Sequence, residues 1–381
     1  MTQENASPDV VIIGAGIVGC ATAYYLGKAG VKATIIERDA VGAHASGYAL
    51  GGLGPLGGAG IPEPVGHISL ESWRLHNQLA TTLPEESGVD YGFHLNTGIT
   101  VAYSQEQAQG LQERLPWQQA QEGFRVEWRE GADIQSMEPR LAPGVLGGVV
   151  TKHGATIDSY KFNLALLKAA EGMGAVLRKG EVTGINFQGD TARSITVGQD
   201  NVPCGTVVLA MGPWSGSASG WLDTELPVRP LKGQILRLKI AGPPLPHLGW
   251  ESNYVTTKPD GLVWIGTTEE NAGFDATPTV EASESILRSA VAVLPYLANA
   301  QIVQHTACLR PVAPDGLPIL GQIPGKRGIV AATAAGRKGI LLGPVIGRMA
   351  ASLVTRGETD MDISAMSPER FIETATRAGA S

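Results

Sequence analysis

The sequence predicts an α/β chain of mixed α+β character: a Rossmann-type nucleotide-binding domain interrupted by an inserted antiparallel-sheet domain. Three observations predict it. A strand, glycine turn, helix and second strand open the chain. Alternating, strand-like segments follow between residues 231 and 267. Strand–helix patterns then return near residues 205 and 329, so the opening domain is assembled from separate stretches.

Val10 to Ile13 is a short β-branched run suited to a buried parallel strand. Gly14, Gly16 and Gly19 form the turn, and Ile17 to Lys28 reads as a helix stopped by Gly30. Lys32 to Ile36 is the next strand, joined by a right-handed crossover. Ala43 to Gly66 is rich in glycine and proline and reads as a tight loop against something flat and bulky. Ser104 to Gln107 has the form of a capping box, and Lys161 to Glu171 is an amphipathic helix. Gly205 to Ala210 reads as a buried strand. Leu231 to Ile240 and Tyr254 to Thr267 read as half-exposed antiparallel strands, the second turning at Lys258 to Gly261. Thr277 and Pro278 should open a helix running to about Leu294. Ile329 to Ala332 is a strand, and Gly339 to Thr355 a helix of small residues. There are no internal repeats. The expected limits are 1–80, 150–226 and 322–381 for the nucleotide domain, and 81–149 and 227–321 for the substrate domain.

Composition narrows the function. Hydrophobic residues make up 43% of the 381 and charged residues 17%, against about 25% charged in an average globular protein. The chain can therefore bury a large interior. Its 50 Gly and 24 Pro stay below the roughly 25–30% that marks a disordered chain. A net charge of −7 argues against a nucleic-acid partner. Three scattered cysteines make no CxxC pair or disulfide framework, which suits a reducing cytoplasm. The uncharged run Val10 to Gly27 lacks the basic flank of an export signal and is broken by glycines, so no transmembrane segment is expected. The seven histidines show no HxxxH spacing and no nearby cysteine, so no metal site is expected. GxSxG and GxxxxGK[ST] motifs are absent.

Gly14, Gly16 and Gly19 fit GxGxxG between a strand and a helix. Gly14 allows the turn, Gly16 lets backbone N–H groups approach a pyrophosphate, and Gly19 lets helix and strand pack closely. Glu37, eighteen positions after Gly19, can hold a ribose hydroxyl pair. Arg38 beside it reads either as a 2′-phosphate partner or as a solvated surface charge. FAD and NAD share this fingerprint.

The wider chain resembles the D-amino-acid oxidase superfamily of FAD-dependent oxidoreductases, and is most similar to its glycine oxidase- and sarcosine oxidase-like members. The resemblance rests on Asp9 to Gly19, Glu37 and Arg38, Ala45 to Gly47 leading into Gly51 to Leu53, and Glu138 to Leu141. It continues through Gly154 to Asp158, Val208 to Ser215, Val228 to Gln234, Leu309 to Gly321 and Gly336 to Pro344.

That resemblance implies roles. Gly14, Gly16, Ile17, Val18, Gly19 and Glu37, with Arg38, would hold the ADP half of FAD. Ser46 would serve the pyrophosphate and Val182 the adenine. Gly51, Gly52 and Leu53 would pass beside the isoalloxazine, where a Cβ would collide with the ring. Gly212, Gly336 and Lys338 complete the cofactor set. Gly339, Ile340 and Leu341 would start a helix whose dipole faces the flavin pyrimidine. Arg310 would grip a substrate carboxylate, Tyr254 would add a hydroxyl bond, and Arg337 matches a second pocket arginine that serves equally as a structural or tunnel-lining group. The implied reaction is oxidation of the C–N bond of a small amino acid or N-substituted glycine by hydride transfer to flavin N5, with O2 as acceptor and H2O2 as product. The sequence leaves open a dehydrogenase of an amino or 2-hydroxy acid with another acceptor, a flavin protein without turnover, and a homo-oligomer.

Three departures stand out. Ala334 and Ala335 replace a Gly-His pair of many relatives. No lysine lies on Gly261 to Gly266, where sarcosine oxidases carry an oxygen-activating one. Cys308 matches a cysteine that sarcosine oxidases bond to FAD, although a buried, inert thiol with non-covalent FAD is the favoured reading.

Overall fold

Two sheets dominate the computed structural model, which describes residues 10–58 and 61–371. Asp9 and the outermost parts of the expected domain limits lie outside the described residues. Val10–Ile13 forms the opening strand, buried along its whole length. It pairs in parallel with Ala33–Glu37 on one side and Thr206–Leu209 on the other. Val176–Lys179 extends the sheet beyond Ala33–Glu37, and Ile329–Thr333 beyond Thr206–Leu209. Ile319–Gln322 closes that edge as the one antiparallel strand of six.

Helices Ile17–Lys28 and Gly339–Arg356 cover this sheet on one face. They cross closely because a Cβ at Gly343 would lie 2.5 Å from Ile17 Cγ1, and one at Gly347 2.5 Å from Ala21 Cβ. Among the described residues, Gly336–Arg356 is the one helical stretch long and apolar enough to cross a membrane. It is 67% buried inside the fold, where the core accounts for its composition.

The second sheet has nine strands and carries the inserted segments. Its longest pairing joins the edge strand Gln301–Val312 to Arg229–Lys239, antiparallel over their length. It is antiparallel except where His247–Trp250 runs parallel to His94–Ala102. Gly147–Thr156 belongs to this sheet, so the expected limit at 149/150 falls inside a strand, as does the limit at 321/322 inside Ile319–Gln322.

Several expectations need correction. Arg229–Lys239 and Val263–Gly266 are mostly buried rather than half-exposed, because helix Val280–Val293 packs on one face while the other carries Arg310 over Gly233 and Arg237 stacked on Trp264. That helix is capped by Thr279, whose hydroxyl accepts from Ala282 N, and not by Thr277. The capping box at Ser104 and Gln107 is present and opens Gln105–Gln119. Helix Gly66–Ser87 carried no recognised sequence signal: it has no side-chain cap, it contains Pro84, and it emerges directly from the glycine-rich loop. A separate three-stranded sheet, Val182–Gln188, Thr191–Val197 and Asp200–Pro203, was also not foreseen.

Candidate active site

A cavity of about 1080 Å³ lies where the carboxyl ends of the parallel strands meet the second sheet. Ligands gather at this end of parallel strands because loops diverge there and helix N-termini point inward. Of the predicted site residues, all except Gly19 line this one space. Gly19 instead packs within the turn, where a Cβ would fall 1.9 Å from Gly14 O.

The end of the cavity nearest the first helix is made of backbone. Gly14 has φ +106°, and a Cβ there would meet Ala210 O at 2.4 Å. Gly16 is the N-cap of Ile17–Lys28 and offers no capping side chain, so the positive helix end faces the cavity. Two side chains brace the turn. Glu37 Oε2 accepts from Ala15 N at 2.7 Å, and its Oε1 accepts from Asp39 N at 2.9 Å. Ser46 Oγ accepts from Ile17 N at 2.9 Å. Asn163, which sequence reasoning missed, donates to Ala15 O at 3.0 Å while its buried Oδ1 has no hydrogen-bond partner. Arg38 is neither simply solvated nor free: its guanidinium stacks on Trp214 with 4.1 Å to the ring centroid, and its Nε donates to Asp39. Val182, Gly212 and Trp214 border the same end.

The middle of the wall is the glycine tract, pinned by two lysines. Lys258 Nζ donates to Leu50 O at 2.8 Å and to Ile157 O at 2.7 Å. Lys338 Nζ donates to Gly54 O at 2.9 Å. Burial lowers both ammonium groups to a pKa of about 8. Gly51 is glycine for a reason within the protein: its φ is +78°, and a Cβ would strike Ile157 O at 2.1 Å. The expected collision with a ring is therefore not needed to explain it. At Gly52 an added Cβ would meet only Leu50 Cδ2, at 3.6 Å, and at Gly54 and Gly336 nothing within 4 Å, so this side stands open. Opposite, the start of Gly339–Arg356 is held by His76, whose Nε2 lies 3.1 Å from both Ile340 O and Leu341 O. Burial lowers the His76 pKa to about 4, so it is neutral and donates.

The far end is made of side chains. Arg310, on Gln301–Val312, donates from Nη2 to Thr267 Oγ1 at 2.7 Å and from Nη1 to Thr268 O at 3.1 Å. It lies flat across Gly233 of the neighbouring strand, where a Cβ would be 2.0–2.2 Å from the guanidinium. Gln234 fixes the supporting segment by donating from its backbone N to Thr268 Oγ1 and from Nε2 to Glu270, while Thr267 Oγ1 donates to Gln234 O. Tyr254 lines the cavity, and among the described residues no protein group hydrogen-bonds its hydroxyl. Burial raises the Tyr254 pKa, with Arg310 opposing. His247, also in the wall, has a buried Nδ1 with no partner and a pKa lowered by burial to about 4. Arg337 forms a two-point ion pair with Glu269, which holds the carboxyl below its usual range. Cys308 is buried in the wall, and its thiol pKa is raised by that burial.

Gly233, Thr267, Glu269 and His247 were not singled out from sequence. A glycine in the interior of a strand flanked by Lys232 and Gln234 was an available signal of close approach. The other three act through contacts far apart in the chain. Among the described residues, no group of three or more His, Cys, Asp or Glu could hold a metal ion.

These features fit an extended dinucleotide with a flat end. A helix N-terminus opened by Gly16 and Ser46 would meet the pyrophosphate, a carboxylate at a strand end the ribose, and open glycines the planar ring. Comparison with known proteins agrees. Residues 9–353 match the family model described as FAD dependent oxidoreductase. The chain is similar to the glycine oxidase of Pseudomonas aeruginosa, 31% identical over 95% of this chain and 99% of that one. It is likewise similar to that of Geobacillus kaustophilus, 30% identical over 96% and 97%. The crystal structure of the Geobacillus kaustophilus glycine oxidase superposes with a TM-score of 0.89 at 29% identity, covering 94% and 97% of the two chains. The iminodiacetate oxidase of Chelativorans sp. BNC1 shares the fold, with a TM-score of 0.86 at 24% identity, covering 94% and 98%. With FAD as its cofactor and amine oxidation as its chemistry, the chain belongs to the DAO family of FAD-dependent oxidoreductases.

Proposed function

We propose that the protein oxidises the C–N bond of a small amino acid or N-substituted glycine, passing electrons to O2 with release of H2O2. The observation that carries the reading is Arg310: buttressed by Thr267 and Thr268, laid on Gly233, and facing a cavity shared with Tyr254. A fixed guanidinium accepts a carboxylate in a set orientation, and the Tyr254 hydroxyl supplies a further donor. FAD, when bound, supplies the acceptor for the hydride that leaves the α-carbon. The resulting imine takes up water and breaks down to an oxo acid and the free amine. His247 stays neutral at pH 7, and Arg337 is paired with Glu269, so Arg310 is the arginine at this end without a carboxylate partner. The protonated, buried Cys308 thiol supports non-covalent FAD. Three buried, unpaired cysteines support a cytoplasmic location.

Arg310→Ala should raise the KM for glycine or sarcosine about 10- to 100-fold, the loss of a charged hydrogen bond worth roughly 1.5–3 kcal/mol. Ordinary steady-state kinetics in that variant would remove the assignment. A dehydrogenase is the second reading. Val263–Gly266 carries Trp264 and no lysine, and the nearby Lys258 ammonium is bound to two carbonyls. One peroxide per sarcosine consumed supports the oxidase, whereas dye reduction without peroxide supports the dehydrogenase.

A further inference from the structure

The substrate end of the cavity holds two arginines but presents the charge of one. Arg310 and Arg337 both line it, and Glu269 lies between their fields. Glu269 engages Arg337 through both oxygens, Oε1 with Nε and Oε2 with Nη2, which is the two-point geometry an arginine otherwise offers a substrate carboxylate. Two further charged groups of the cavity wall hydrogen-bond neutral partners and engage neither arginine. Lys338 Nζ donates to Gly54 O, and Glu251 accepts from Gln107 Nε2.

The backbone that carries Glu269 is held on both sides. Its chain neighbours Thr268 and Glu270 are tied to Gln234, and Glu270 N and O exchange backbone hydrogen bonds with Lys232. The segment that supports Arg310 thus also delivers the carboxylate that occupies Arg337. A substrate with one carboxylate meets one available guanidinium. A substrate with a second carboxylate must break the Glu269–Arg337 pair and place its charge beside Glu269, a like-charge contact that disfavours it.

We infer that Glu269 is the residue that sets the substrate class: by filling the Arg337 fork with an internal carboxylate, it restricts the site to monocarboxylate amines and excludes dicarboxylate ones. This rests on Arg310 as the carboxylate site. Removing the charge while keeping the shape, Glu269→Gln, leaves Arg337 open to a second anionic group.

The test uses the FAD-loaded enzyme with acetate and malonate as non-reacting probes, titrated by the change in flavin absorbance, alongside turnover of sarcosine and iminodiacetate. Wild type should bind acetate more tightly than malonate. In Glu269→Gln the malonate-to-acetate affinity ratio should rise at least 10-fold, with a parallel rise in the iminodiacetate-to-sarcosine ratio of kcat/KM. The double variant Glu269→Gln, Arg337→Gln should lose both gains. An unchanged ratio in Glu269→Gln, or a gain that persists without Arg337, overturns the inference while leaving Arg310 as the carboxylate site. Failure of acetate to bind wild type overturns that site and this inference together.

Discussion

The two ends of the cavity are built by different means. Around Gly14 the wall is backbone, placed by a turn whose residues are neighbours in sequence and braced by Glu37 and Ser46. Around Arg310 the wall is side chains, placed by strands and loops as distant as Gly233, Thr267 and Gln301–Val312. Backbone at the first end leaves no room for adjustment, whereas long side chains at the second can move. The first end therefore suits a constant partner, and the second can be retuned without rebuilding the fold.

The largest test of this difference falls on Gly19. An alanine methyl there would sit 1.9 Å from Gly14 O, with Gly14 itself held by a bond from Gly14 N to Ile36 O and its neighbour Ile13 by one from Ala210 N. Neither side can yield without opening the turn. Gly19→Ala should cost about 3 kcal/mol or more and leave protein with little flavin. Thermal unfolding and the flavin-to-protein absorbance ratio measure this, and a normal ratio with an unchanged Tm would show that the turn is looser than its geometry.

That contrast also explains how much was legible from sequence. The first strand, glycine turn and helix, with Glu37, could be read directly because each residue acts within its own segment and the glycine spacing reports backbone geometry. Arg310 and Tyr254 were reached only through resemblance, since nothing local marks an arginine in a strand as facing a cavity. Glu269 gave no signal at all, because its importance arises from Arg337, 68 positions away. Helix Gly66–Ser87 was hidden for another reason: its buried positions include the polar residues Ser72 and His76, whose partner Leu341 O arrives only when the last helix docks.

His76 makes that docking sensitive to acid. When folded it stays neutral down to about pH 4, while the unfolded chain protonates it near pH 6.5. Between those values the unfolded state binds more protons, so stability is full above about pH 6.5 and is lost as pH falls toward 4. The loss from this group should be on the order of 2–3 kcal/mol. Denaturant titrations at pH 7 and pH 4.5 should show a steeper decline in wild type than in His76→Gln, and parallel declines would assign the acid sensitivity elsewhere.

The smallest expected effect is the most discriminating, because it adds the same methyl group at the opposite end. In Gly233→Ala the new carbon would fall 2.0–2.2 Å from the Arg310 guanidinium, as close as the Gly19 contact. Here, however, the obstacle is the far end of a flexible side chain. Arg310 can swing off the strand, breaking its bonds to Thr267 and Thr268 but leaving the Arg229–Lys239 ladder intact. Flavin content and Tm should therefore stay near wild type while the KM for sarcosine rises about 10-fold, equivalent to roughly 1.4 kcal/mol. Loss of flavin in this variant would mean that the two ends are coupled through the second sheet. An unchanged KM would mean that Arg310 does not need its place on Gly233 to hold a carboxylate.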